Sequence, residues 1–368
     1  MYLYLFLIFN FIFPNKYPFS ILPTYEEESI RIDEFKYASI DYTNPVAIWE
    51  KELGVSRRLS YLVKLQLNKD LYFDIYSPPH KGFAPALILI HGGAFLPGVG
   101  SKTDESIKSL CLEFATRGYR VFSIEYRQMN FLTPSFLKAG YTAVQDTKAA
   151  LRFITNRSAL FKVDTDNIFL GGLSAGAITA LNTAFIDHHE DIFGRRDKLD
   201  YMYGCLDCVG ELSKQDYKIK GVINIVGAVY DLSILNNKIP VLSVHGDNDE
   251  IISRNCDIPF KKQASNYNRF ISKLKHIFRS EKVKKELNEA LIPKLCGSES
   301  IHSYLKSTGI QSYYLNAAEG DHHLIMSSNN VITSIGKKAI NAVSVFLYQS
   351  STISKFTIPK ESIDWFAK

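Results

Sequence analysis

The chain predicts an α/β fold, a mostly parallel sheet with an antiparallel opening and helices on both faces, and three observations carry that expectation. Short apolar runs recur along it: "ALILI" (86–90), "YRVFSIEY" (119–126), "NIFLGG" (167–172), "GVINIVG" (221–227), "IPVLSVHG" (239–246) and "QSYYLNAA" (311–318). Continuous apolar character suits strands covered on both faces, as in parallel sheets with crossover helices. Between these runs, "DESIKSLCLEFATRG" and "AVQDTKAALRFITNRS" repeat apolar residues every three or four positions, the period of an amphipathic helix. Ahead of them, "YLVKLQLNKDLYFDIYSP" alternates over Tyr61 to Leu67 and Leu71 to Tyr76 around Asn68, Lys69 and Asp70, which predicts an antiparallel hairpin.

Taken in order, the first 14 residues are apolar apart from Tyr2, Tyr4 and Asn10. That run is too short to span a bilayer comfortably and has the length of a secretory leader, although no basic residue precedes it and no A-x-A-like site follows. Residues 1–23 are therefore expected to be a signal peptide or hydrophobic leader, and the protein to be secreted or extracytoplasmic; the alternative is a buried or membrane-associated amino-terminal strand or helix, with a cytoplasmic protein. Residues 24–56 are mixed and charged and show no period. The hairpin and the alternating α/β pattern follow, and "VITSIGKKAINAVSVFLYQ" closes the pattern as a helix. One catalytic domain over residues 24–350 is expected, with residues 351–368 as a tail.

Before the last strand the rhythm breaks. Residues 261–294 hold ten Lys or Arg against three Glu, with Phe270, Leu274, Ile277 and Phe278 on one helical face, which predicts a helical insertion over about 257–296. It is read either as a solvated surface helix or as a cover over the site. This segment more than accounts for the formal net charge of +5. The remainder is near neutral, which argues against a nucleic-acid binder, whose positive charge spreads over a face built from several elements.

Composition places the chain among ordinary globular proteins, with 46% hydrophobic and 22% charged residues. Its five cysteines are too few and scattered for a disulfide scaffold, and the odd number leaves at least one unpaired within the chain. Cys205 and Cys208 have C-x-x-C spacing, but no second pair or closely spaced histidines lie nearby to complete a zinc site. Structural thiols or one local disulfide are expected there, with no metal and no cofactor.

The chemistry begins at "FLGGLSAGAI" (169–178), where Ser174 lies between glycines at the end of an apolar run. A serine there either caps the following helix or is a nucleophile on a sharp turn. Gly172-Leu173-Ser174-Ala175-Gly176 is a G-x-S-x-G between a strand and a helix, and glycines two before and two after let the chain turn without side-chain clashes. A serine nucleophile needs a base to take its proton and a carboxylate to orient that base. "SVHGDNDEII" offers Asp247, Asp249 and Glu250 just after a strand. "AAEGDHHLIM" offers His322 and His323, again after a strand. Upstream, "LILIHGGAFLPG" runs from a strand into His91-Gly92-Gly93-Ala94-Phe95, where small residues let backbone N–H groups approach a developing oxyanion. Gly93, Ala94 and Ala175, which follows the serine, are the expected donors.

"LILIHGGAF", "SIEYR", "AVQDTKAALRFI", "DTDNIFLGGLSAGAITAL" and "VLSVHGDND" together resemble the carboxylesterase branch of the α/β-hydrolase family, over about residues 60–350. The order Ser, Asp, His is also that family's order. The resemblance implies a serine carboxylic-ester hydrolase acting on a small-molecule ester. It places the acid four residues after the histidine of the H-G-x-x-D loop, on Asp249. For the base, aligning Gly320 with the family glycine selects His323 and aligning on the D-H pair selects His322; loop length favours His323. A tryptophan in the upstream motif would point to an arylformamidase-like amide hydrolase, and Phe95 stands there instead. A non-catalytic binding module of the same fold is the other alternative. The stretch with His188 and His189, between the nucleophile helix and the next strand, is a second segment expected to shape the pocket.

Overall fold

The computed structural model describes residues 18–40, 69–129, 135–186, 204–212, 217–261 and 292–352. Its main sheet has eight strands in the order β1-β2-β4-β3-β5-β6-β8-β11. These are β1 (Arg31–Ile40), β2 (Lys69–Ser77), β3 (Ala84–Ile90), β4 (Arg120–Ile124), β5 (Val163–Leu173), β6 (Ile219–Ile225), β8 (Val241–Gly246) and β11 (Ser312–Ala317). β2 pairs antiparallel with β1 and β4, and every pairing from β4 to β11 is parallel. A small antiparallel sheet joins β7 (Ala228–Val229), β9 (Cys256–Asp257) and β10 (Leu295–Gly297) in the order β7-β10-β9.

Among the described residues six α-helices connect or close these strands: α1 (Glu105–Ala115), α2 (Phe136–Asn156), α3 (Ser158–Phe161), α4 (Ala175–Phe185), α5 (Ser298–Ser307) and α6 (Ser334–Thr352). The strands are apolar at consecutive positions because both faces are covered. Along β3, Ala86, Ile88 and Ile90 pack into one core with residues of α2, α4 and α5. Leu87 and Leu89 point to the other face, into a core built with α1 and α6. The period of two along a strand thus feeds two cores from one run. Burying each Leu or Ile stabilises by roughly 1.5–3 kcal/mol.

Two sequence expectations change here. The antiparallel partner of β2 is Arg31–Ile40, in the charged stretch that shows no period, while the expected first hairpin strand, Tyr61–Leu67, lies outside the described residues. β1 has only three buried positions, all in its second half, and its charged first half hides the alternation. The C-x-x-C pair is a disulfide, Cys205–Cys208, as the local-disulfide alternative held, and a second bridge, Cys256–Cys296, was not anticipated. Cys111 is the unpaired, buried thiol.

The ends of the basic segment are the short strands β9 and β10, held side by side by that second bridge. Residues 262–291, and with them the expected insertion helix, lie outside the described residues, as do residues 1–17, 187–203 and 353–368, which hold most of the expected leader, His188 and His189, and most of the tail. No described helix is long and apolar enough to cross a membrane.

Candidate active site

Ser174 stands between the end of β5 and the start of α4 with φ 54° and ψ −118°, a conformation that side-chain-bearing residues rarely adopt. It occupies the N-cap position, yet its side chain makes no capping hydrogen bond. The capping alternative therefore does not describe what the hydroxyl does. The turn closes so tightly that a Cβ on Gly172 would lie 2.3 Å from the Gly176 carbonyl carbon, and one on Gly176 would lie 2.0 Å from the Ile90 carbonyl oxygen. The Ser174 N–H donates to Ile225 O at 2.9 Å, which ties the turn to the end of β6.

His322 fills the space between Ser174 and Asp249. Its Nε2 is 2.8 Å from Ser174 Oγ, and its Nδ1 is 2.7 Å from Asp249 Oδ2. The sequence preference for His323 is thereby corrected. Gly320 N–H closes a tight turn onto Ala317 O at 3.0 Å, and Asn248 N–H donates to Gly320 O at 2.9 Å. The histidine loop is thus pinned to the acid loop sooner than its length suggests, and the first histidine enters the cleft. His323 is exposed, and its N–H donates to Asp321 Oδ1. The alignment on the D-H pair was the signal that pointed to His322.

Asp249 has a wholly buried side chain. Oδ1 accepts the N–H groups of Ile251 and Ile252 at 2.8 and 2.9 Å, and Oδ2 faces His322 and, at 3.1 Å, His245 Nε2. Burial alone would raise its carboxyl, but the hydrogen bonds from His245 and His322 outweigh it and hold the group well below the usual carboxylate range. Asp247 instead accepts the Glu319 N–H at 2.6 Å, and Glu250 is exposed.

The upstream loop bends through consecutive positive φ values at Gly93 (102°), Ala94 (53°) and Phe95 (60°). Its carbonyls are engaged: Tyr126 Oη–H reaches His91 O and Gly92 O at 3.1 and 3.2 Å, and Leu96 N–H donates to Gly93 O at 2.9 Å. Burial pushes the His91 imidazole down to about 4, so this ring is uncharged at neutral pH and packs flat on Tyr126. The N–H groups of Gly93, Ala94 and Ala175 have no intramolecular hydrogen-bond partner among the described residues. Ala94 and Ala175 line the same cavity as Ser174, while Gly93 lies outside its lining.

That cavity is apolar, walled by Phe136, Leu137 and Val144 from α2 and its start, and by Ile178 from α4. Pro259 and Phe260 on one side of the basic segment, and Ile292, Pro293 and Leu295 on the other, complete it. Among the described residues, none of those lining it carries a charge. Among the described residues, no group of three or more His, Cys, Asp or Glu is arranged to hold a metal ion.

A serine on a strained strand-to-helix turn, with an acid loop after β8 and a histidine loop after β11, defines an α/β-hydrolase. The chain has the α/β-hydrolase fold, and its residues 73–239 match the BD-FAE family model. The propionate-bound esterase 2 of Thermogutta terrifontis has the same fold, with a TM-score of 0.52 at 15% identity over 90% of this chain and 98% of that one. The same enzyme phosphorylated by paraoxon gives 0.51 at 16% identity, again over 90% of this chain and 98% of that one. In sequence, the chain is 30% identical over 116 residues to a probable N-octanoylanthranilate hydrolase of Rhodococcus erythropolis, 31% of this chain and 25% of that one. It is 32% identical over 111 residues to a carboxylic ester hydrolase of Bombus ignitus, 29% of this chain and 19% of that one. The chain thus spans about a quarter or less of the length of these curated relatives.

Proposed function

We propose that the protein is a serine carboxylic-ester hydrolase working through an acyl-enzyme. The observation that carries the reading is the unbroken line from Asp249 through His322 to Ser174 Oγ, at 2.7 and 2.8 Å. In this reading His322 Nε2 takes the serine proton as Oγ attacks the ester carbonyl, and later returns it to the leaving alcohol. Asp249 holds the Nδ1–H tautomer and offsets the charge that forms on the ring. The N–H groups of Ala94 and Ala175, with Gly93 as the third candidate, receive the oxyanion; losing one such donor costs about 2.7–4 kcal/mol of transition-state stabilisation. Water then repeats the sequence on the acyl-enzyme, and no cofactor enters either half.

The uncharged, apolar cavity supports a neutral small-molecule ester with an apolar acyl group as substrate. The name of the Rhodococcus relative contains an N-acyl bond, which favours amide cleavage as the second reading for the same residues. We also infer an extracytoplasmic location: two disulfides among the described residues suit an oxidising compartment.

The test is hydrolysis of p-nitrophenyl acyl esters and matched anilides, together with labelling by a fluorophosphonate probe. Ser174→Ala and His322→Ala are expected to lose ester turnover by at least about 10³-fold, and His323→Ala to keep it within about threefold. Ester turnover retained in Ser174→Ala would overturn the mechanism, and a folded wild-type protein that resists the probe would favour a binding module.

A further inference from the structure

Asp249 Oδ2 has two histidine neighbours, and the second is not part of the proposed proton path. His245, on β8, is fully buried, with Nε2 3.1 Å from Asp249 Oδ2 and 2.9 Å from Ile252 O. Both neighbours accept hydrogen bonds only, so Nε2 must carry a proton.

The other ring nitrogen is set by a buried chain of polar groups. Gly227 N–H donates to Asn224 Oδ1 at 3.1 Å, which fixes which end of that amide is oxygen. Asn224 Nδ2 then donates to Ser243 Oγ at 3.0 Å and Ser298 Oγ at 3.1 Å. With that lone pair of Ser298 occupied, its own hydroxyl proton points to His245 Nδ1, 2.8 Å away. Asn224, Ser243, Ser298 and His245 are all wholly buried, out of reach of bulk solvent.

We propose that His245 is a positioning residue for the ester hydrolysis, its Nε2–H locking Asp249 Oδ2 in the orientation that serves His322, and that Gly227, Asn224 and Ser298 hold it in the tautomer this requires. The inference rests on the Ser174-His322-Asp249 reading. With Oδ1 held by two backbone N–H groups and His245 Nε2 placed 3.1 Å from Oδ2, rotation of the carboxylate away from His322 would give up all three contacts. His245 also takes a share of the negative charge. Without it the carboxylate would bind the protonated His322 more strongly, and the base would be held in its inactive form up to higher pH.

The other titratable groups around this point come from both loops. Asp321 and His323 flank His322, with the His323 ring centroid 5.7 Å away; Asp247 is engaged with the Glu319 N–H, and Glu250 is exposed. His322 hydrogen-bonds Asp249 Oδ2, and His245 Nε2, which hydrogen-bonds Ile252 O at 2.9 Å, lies 3.1 Å from the same carboxylate oxygen.

Two substitutions separate orientation from mere core packing. The amide of Gln reaches where Nε2 lies, so His245→Gln keeps a donor for Asp249. Asn reaches only where Nδ1 lies, so His245→Asn keeps the Ser298 contact and loses that donor. Measured on a p-nitrophenyl ester against pH, His245→Asn is expected to lower kcat by about 10- to 100-fold, the loss of one charge-assisted hydrogen bond, with KM little changed. Its acid limb of kcat/KM should move upward by roughly half a pH unit or more. His245→Gln should restore kcat and the limb to within about threefold and a few tenths of a unit. Ser298→Ala, which leaves the ring in place, should move both readouts in the same direction as His245→Asn and serves if that variant does not fold. Equal losses in the Asn and Gln variants with the limb unmoved, or an unchanged profile in Ser298→Ala, would overturn the inference. Because Ser174→Ala would remain inactive in either case, the underlying mechanism would survive that failure.

Discussion

A buried carboxylate survives as an anion only if its lone pairs are filled, and Asp249 meets that condition with two backbone N–H groups and two imidazoles. Its depressed titration has a stability consequence with a defined sign. A carboxyl held below its unfolded value adds stability that is complete above about pH 4, the ordinary range, and is lost as pH falls through the lower folded value. The melting-temperature gap between wild type and Asp249→Asn is therefore expected to be flat from neutral pH to about pH 5 and to narrow below about pH 4. A gap that narrowed already between pH 7 and 5 would show that Asp249 titrates near neutrality. Which of two adjacent histidines faces Ser174 lay beyond the sequence, because it depends on the Ala317–Gly320 turn and the Asn248 bond across loops.

Among the elements, the β5–α4 turn was the most legible, since its glycines are demanded by backbone approaches closer than any Cβ tolerates. Gly176→Ala puts a methyl group on the Ile90 carbonyl, so the turn must open and Ser174 must leave the histidine. We expect that variant to lose ester turnover about as fully as Ser174→Ala and also to unfold at lower temperature, whereas Ser174→Ala should not. A Gly176→Ala protein with wild-type activity would contradict the geometry of this turn. The central strands were equally readable, because burial on both faces leaves continuous apolar runs. β1 was not, since Arg31, Asp33, Glu34 and Lys36 put charge on both faces of its first half and conceal the alternation. β9 and β10 are only two and three residues long, too short to show any period, and become strands by pairing with each other and with β7.

At the scale of the whole molecule, the basic segment is joined to the domain through a narrow neck. Cys256 and Cys296, 40 residues apart, are bonded across β9 and β10, and the residues just inside this bridge wall the cavity beside Ser174. Closing a loop of that length restricts the unfolded chain by about 4 kcal/mol in the chain-entropy account. The double variant Cys256→Ser/Cys296→Ser is expected to melt at lower temperature and to change its preference among p-nitrophenyl esters of increasing acyl length, with the shortest ester least affected. An unaltered chain-length profile would mean that the neck does not set selectivity. α5, which leaves the neck directly, carries Ser298 into the network behind Asp249, so the same neck also supports the acid.

The sequence by itself determined the α/β class, the order of serine, acid and histidine loops, and the small-residue loop upstream of them. Each is written in local terms: an apolar run, a glycine spacing, a polar residue at a strand end. Tertiary structure alone decided that His322 faces Ser174, that His245 stands behind Asp249, that Cys256 meets Cys296, and that both ends of the basic segment wall the cavity. These are contacts between residues 40 to 148 positions apart, a choice between adjacent ones, or, for His245 and Asp249 four positions apart, the result of how the loop after β8 turns. Local periodicity carries no information about such contacts, because they are fixed by how strand ends and loops converge in space.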